Sequence, residues 1–165
     1  MNKFEKVSFE QYYEAVKETG MTEDAIRAQY EKIKLPTRGT QLSAGYDFFS
    51  PVNFTLVPGE TIKIATGIRV RLDEDKFLAL VPRSGLGFKY RLQLNNTIGI
   101  IDADYVNSDN EGHIFAKITN DSNEGKALTV EKGQGFMQGI ILNYFLTEDD
   151  KADGVRNGGF GSTSR

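Results

Sequence analysis

The sequence predicts an all-β barrel or sandwich with a short helical extension at its N-terminus. Three observations predict it. From Leu42 onward, apolar residues alternate with polar ones, as in TIKIATGIRVRL, where Ile62, Ile64, Ile68, Val70 and Leu72 recur at strand spacing. FLALV, IFAKIT and GIILNYFL add further short apolar runs, and the turn formers of VPGE, LDED, TNDSNEGK and EKGQG separate them. Residues 1–34, in contrast, follow the longer helical period.

Two helices are expected in that extension. Ser8 and Gln11 frame a capping box, Phe9, Tyr12, Tyr13 and Val16 share one face, and Gly20 ends the turn. Thr22 can cap a second helix, with Glu23 and Asp24 at its positive end and Ile26, Tyr30 and Ile33 as its stripe. Pro36 prevents continuation. Helices this short are marginal alone, so they should dock on the body. The chain thus divides into an extension (1–34), a β-domain (35–146) and a polar, glycine-rich tail (147–165).

Composition removes several function classes. In 165 residues there is no cysteine, which excludes disulfides and thiolate metal sites. His113 is the sole histidine, so a multi-histidine zinc centre is excluded and a Ser-His hydrolase disfavoured. A net charge of -3 argues against bulk nucleic-acid binding, though not against a small anion held by a local cluster. No apolar run approaches membrane-spanning length, and the first residues lack a signal-peptide core, so cytoplasmic residence without membrane contact is expected.

Five segments break the strand pattern with residues a core does not need. SAGYD (43–47) ends in a carboxylate within an apolar-aromatic run. PRSGLGFKY (82–90) presents Arg83, Ser84 and the Gly85 backbone in succession, a grouping that can wrap a phosphate in a turn after a strand. NNTIGIIDADY (95–105) sets Asn96, Gly99 and two carboxylates around a β-branched stretch, and Asp102 ends an apolar strand where an unpaired carboxylate is costly. EKGQGFMQGIIL (131–142) carries Gln138 in an apolar strand. RNGGFGSTSR (156–165) combines phosphate donors with one aromatic ring among glycines.

In order and content these segments resemble the five motifs of the trimeric dUTPase family, over residues 34–165. The resemblance implies a jelly-roll-like β-barrel, assembled as a homotrimer with sites between subunits, that cleaves dUTP to dUMP and pyrophosphate by attack of water on the α-phosphorus. Asp102 matches the family's catalytic aspartate, the base for that water. Arg83, Ser84, Gly85 and Gln138 match phosphate-handling positions, as do Arg156, Ser162 and Thr163 of the tail. Asn96, Gly99 and Ile101 fall on the uracil-reading hairpin, Tyr105 on the ring beneath the deoxyribose, and Phe160 on the ring that stacks on the base. The implied cofactor is Mg²⁺, held mainly by substrate phosphates, with Asp47 supporting either metal-bound water or Arg83.

Three departures accompany the match. Gly135 stands where the fourth motif usually has arginine. The fifth motif is one residue short between Arg156 and Phe160. After Tyr105 the usual Arg-Gly is replaced by VNSDNEG, a polar surface loop beside which His113 is expected at the surface or an interface. This 106–112 insertion and the N-terminal helices are candidate surfaces for an additional protein partner. The competing readings are a dCTP deaminase-like enzyme of the same fold and a dUTP-sensing, protein-binding module.

Overall fold

Short alternating runs bounded by turn formers produce short strands that must pair at a distance along the chain. A computed structural model describes residues 1–156 and 158. Its strands are β1 (Lys3–Lys6), β2 (Thr37–Arg38), β3 (Tyr46–Phe49), β4 (Phe54–Leu56), β5 (Thr61–Ala65), β6 (Ile68–Arg71), β7 (Lys76–Pro82), β8 (Leu92–Leu94), β9 (Gly99–Asp102), β10 (Phe115–Asn120), β11 (Leu128–Val130) and β12 (Gly135–Asn143). The helices are α1 (Phe9–Val16), α2 (Glu23–Glu31) and α3 (Ser84–Tyr90), joined by 3₁₀ turns at Lys17–Thr19 and Ala103–Asn107. The largest sheet has the order β2-β3-β12-β7-β9; a second runs β5-β10-β8, and β4-β11 and β1-β6 form two-stranded ribbons. Every strand pairing is antiparallel. This is the all-β arrangement the pattern predicts and the jelly-roll-like one the resemblance implies.

The inward residues of these sheets form one core. Phe48, Leu78, Leu80, Phe136 and Met137 come from the large sheet, and Ile64, Leu92, Leu94, Ala116 and Ile118 from the second. β12 is buried on both faces over Gly135–Met137, which accounts for its near-continuous apolar run.

The extension docks on this body, as expected, but it is not helical throughout. Lys3–Lys6 forms β1 and pairs with β6, where Glu5 lies opposite Arg69 and bridges Arg69 (3.2 Å) and Arg71 (3.0 Å). Val7, Tyr12, Ile26 and Ile33 join the core. The helices close on Gly67, where a Cβ would stand 2.4 Å from Ile33 Cδ1. Ser8 caps α1 by accepting from Gln11 N–H at 3.1 Å. The reciprocal half of the box comes from elsewhere: Glu111 accepts both the Ser8 N–H (2.8 Å) and the Ser8 hydroxyl (2.5 Å).

Two further expectations are corrected. The VNSDNEG insertion is not a free surface loop, because its Glu111 clasps the extension. His113 is not at the surface: it is fully buried, its Nε2 accepting from Gly67 N–H at 2.9 Å and its ring 4.3 Å from that of Phe115. Burial pushes its pKa down to about 4, so the ring is a neutral packing and acceptor group.

Candidate active site

The segment joining β8 to β9 walls a cavity; the two strands pair in different sheets, and the chain folds back on itself only at the Leu94–Thr97 bridge. Its turn is tight, with Thr97 at φ 67° and donating to the Leu94 carbonyl (2.8 Å), and Ile98 donating to Asn96 (2.7 Å). Gly99 lies opposite Leu80 on β7, and a Cβ there would sit 3.0 Å from Leu80 Cβ, so a side chain at 99 would press on Leu80 at the floor of this site. β9 is the edge of the large sheet, leaving one row of its backbone donors and acceptors outside the ladder. A cavity of about 570 Å³ opens here, and Asn96, Gly99, Ile101, Asp102, Tyr105 and Arg156 all line it.

Asp102 ends β9 with its side chain half exposed. Arg156 bridges Asp102 and Asp104, the latter at 2.8 Å, and its guanidinium lies 5.8 Å from the Tyr105 ring centre. The tail arginine expected on phosphates therefore rests here on the two carboxylates. Tyr105 is buried on the 3₁₀ turn; its hydroxyl donates to the His113 carbonyl (2.9 Å) and accepts from Asn110 Nδ2 (2.9 Å). Burial holds that hydroxyl above its ordinary pKa despite the opposing Asn110 bond, so the ring stays neutral.

A second group gathers at the opposite corner of the same sheet. Asp47 on β3 pairs with Arg83 Nε at 3.2 Å and lies across from Gln138 on β12. Arg83 also donates to the Gly135 carbonyl at 3.3 Å, and a Cβ on Gly135 would stand 2.9 Å from its Nη1. The missing fourth-motif side chain thus leaves the space that Arg83 occupies. Gly45 plays the same part for Gln138, whose Oε1 would lie 2.2 Å from a Cβ there. PRSGLGFKY is not a turn but the start of α3: Leu86 and Gly87 donate to the Arg83 carbonyl, and the preceding N–H groups of Ser84 and Gly85 have no intrahelical acceptor.

The two groups are far apart in one chain. Phe77 of β7 faces Asp102, whereas Val81 faces Gln138. Four residues along a strand are roughly 13 Å, and the three strand spacings from β9 to β3 add roughly 14 Å across the sheet. Phe160, Ser162 and Thr163 lie outside the described residues.

The cavity also contains residues that sequence reasoning missed. Lys63 and Lys117 face each other in the β5–β10 register, and Lys63 sits 4.7 Å from the centre of the Phe115 ring. Only the register brings these like charges together, so nothing local marked them. Asp104 could have been found, since it sits two residues beyond Asp102 in the same motif.

An antiparallel all-β body and a roomy cavity with a carboxylate, an amide and a buried tyrosine on its walls fit the class of β-barrel, nucleotide-handling enzymes. Comparison with known proteins narrows the class. The dUTPase family model matches residues 31–164. The deoxyuridine 5'-triphosphate nucleotidohydrolase of Lactococcus lactis subsp. lactis is 37% identical over 134 residues, spanning 79% of this chain and 88% of that protein. The crystal structure of dUTPase from Streptococcus mutans superposes with a TM-score of 0.63 at 28% identity, covering 88% of this chain and 98% of that one. The Staphylococcus bacteriophage 80alpha dUTPase with dUPNHPP shares the fold at a TM-score of 0.64 and 22% identity, over 100% of this chain and 99% of that one. The chain belongs to the dUTPase family.

Proposed function

We propose that this enzyme hydrolyses dUTP to dUMP and pyrophosphate, with Asp102 as the base. One observation carries the reading: a carboxylate ends the sheet-edge strand at a cavity that Asn96, Gly99 and Tyr105 also line. The exposed backbone row of β9 supplies donors and acceptors for a uracil edge, with Asn96 and Ile101 alongside. The tight floor leaves no room for a 5-methyl group. Cytosine would present a donor where uracil presents an acceptor, leaving a buried group unpaired.

Asp102 holds a water and accepts its proton as oxygen attacks the α-phosphorus, and the bond from that phosphorus to the bridging oxygen breaks to release pyrophosphate. Arg156 must leave Asp102 for this, which frees its guanidinium for the phosphates, where Ser162 and Thr163 assist and Phe160 covers the base. Arg83, Ser84, Gly85 and Gln138 hold the phosphate chain from the other corner of the sheet. Because one chain separates the corners, a second copy supplies this group in the assembly we propose, a homotrimer, which the family resemblance supports. Mg²⁺ takes oxygen ligands and keeps most of its waters. Among the described residues no three carboxylate or imidazole groups cluster, and the partly exposed Asp47 fits as an outer partner through a water. The ion, when bound, neutralises phosphate charge.

Among the described residues no helix is long and apolar enough to cross a membrane; the location we propose is cytoplasmic. The direct test is pyrophosphate release from dUTP, with dCTP, dTTP and UTP as controls and Mg²⁺ present or chelated. Release from dUTP that requires Mg²⁺ is expected. Ammonia from dCTP, or nucleotide binding without turnover, would overturn the reading.

A further inference from the structure

The insertion after Tyr105 folds back onto the residue it follows. Ser108 N–H donates to the Tyr105 carbonyl (3.0 Å) and Glu111 N–H to the Ser108 carbonyl (2.8 Å). Gly112, at φ 73°, packs so closely that a Cβ would lie 2.7 Å from Val106 Cα and 2.9 Å from the Tyr105 carbonyl oxygen. Glu111 adopts φ 58°, a conformation unfavourable for a side chain of its kind. What holds it there is the pair of Ser8 bonds and the Arg69 guanidinium at 3.4 Å. Asn110, one residue earlier, uses both ends of its amide. Oδ1 accepts from Gly112 N–H (3.2 Å), and Nδ2 donates to the Tyr105 hydroxyl (2.9 Å). A continuous set of bonds therefore runs from the cap of α1 through Glu111 and Asn110 to the ring that borders the cavity.

We propose that Asn110, fixed by the Glu111–Ser8 clasp, is the positioning residue for Tyr105, so that the insertion and the N-terminal extension together set how strictly the enzyme rejects a ribonucleotide. A phenol ring pivots about two torsions, and the Tyr105 hydroxyl is pinned on both sides, by the His113 carbonyl and by Asn110. Removing one pin lets the ring tilt, and a tilted ring admits a 2′-hydroxyl that the upright ring excludes. Both pins come from beyond the β8–β9 segment, Asn110 from the insertion and His113 from the residue that follows it. The inference rests on the reading that Tyr105 lies beneath the deoxyribose.

The deciding variant is Asn110→Asp, which keeps the acceptor for Gly112 N–H and loses the donor to Tyr105. Its ratio of kcat/KM for dUTP over UTP is expected to fall about tenfold, the usual effect of one buried hydrogen bond, with dUTP kcat within about twofold of the parent. Tyr105→Phe, which removes both pins, should lower the ratio at least as far, and adding Asn110→Asp to it should change nothing further. Glu111→Gln should shift the ratio the same way by less. An unchanged ratio in Asn110→Asp, or full additivity with Tyr105→Phe, overturns the inference. If instead Tyr105→Ala retains parental selectivity, the sugar-floor reading itself fails and takes the inference with it.

Discussion

Asp102 and Asp47 occupy opposite corners of one sheet, and the two corners are built by different physics. Around Asp102 the shape comes from packing: Gly99 against Leu80, a buried Tyr105 pinned at its hydroxyl, and a positive-φ turn that fixes the hairpin. Around Asp47 the shape comes from charge. Arg83 is held by one carboxylate and one carbonyl, and its side chain remains 43% exposed. A packed pocket can discriminate a base within a single chain. A half-exposed guanidinium recognises phosphate well only when something closes over it, because solvent screens the pair until then. On the proposed reading, the shape that selects the base is largely present in one chain, whereas the Arg83 side of the phosphate site is completed by a second copy.

The largest effect should come from the packed corner. Asp102→Asn preserves shape and removes the base, so kcat for dUTP should fall about a thousandfold, within the usual range for general-base catalysis, while a non-hydrolysable analogue still binds. Near-parental kcat would reject Asp102 as the base. The same variant tests the division between corners. Mixed and reassembled with Arg83→Ala, it should regain activity at about a quarter of the sites, since each site draws its two halves from different copies at random. No recovery on mixing would mean that one chain supplies both halves.

A smaller effect is expected at Gly135. The nearest atoms to a new Cβ belong to the Arg83 side chain, with Nη1 at 2.9 Å and Cδ at 3.2 Å, and a flexible cation can move aside. Gly135→Ala should therefore melt as the parent does. Its KM for dUTP should rise about fivefold, because the loosened Arg83–Asp47 pair forfeits about 1 kcal/mol of preset geometry. Unchanged kinetics would show that Arg83 does not need its place against β12.

The difference between corners also explains what could be read in advance. The glycine and carboxylates of this segment sit within ten residues of one another, so the motif and its geometry coincide in NNTIGIIDADY. Docking of the helices was legible in their apolar stripes, since Tyr12 and Ile26 had no other place to go. Strand β1 was not: in KFEK the alternation covers four residues, and only the register reveals that Glu5 answers Arg69 and Arg71. The first turn of α3 was hidden because Arg83, Ser84 and Gly85 are ordinary turn residues. Lys63 and Lys117 meet only through strand pairing 54 positions apart in a register no local pattern encodes.

His113 was misplaced for a related reason: it follows a polar insertion, and only the tertiary clasp of that insertion with the extension buries it. Its titration gives the mildest of these tests. Native His113 stays neutral down to about pH 4, while an unfolded histidine titrates near pH 6.5. Between those values the unfolded chain binds a proton that the native one does not, so stability is complete above about pH 6.5 and is lost as pH falls toward 4. The loss from this residue should approach about 3 kcal/mol. Protonation also turns the Nε2 acceptor for Gly67 N–H into a donor facing a donor. Burial opposes ionisation of Glu111, yet its Ser8 bonds and Arg69 hold that carboxyl below its ordinary pKa, so its contribution likewise fades as acid protonates it. Urea unfolding from pH 7 to pH 4 should show the parent losing stability more steeply than His113→Gln, whose lower starting stability should vary less with pH. Parallel profiles would mean that the ring is accessible to protons in the folded chain, and that the packed corner is less closed than its geometry implies.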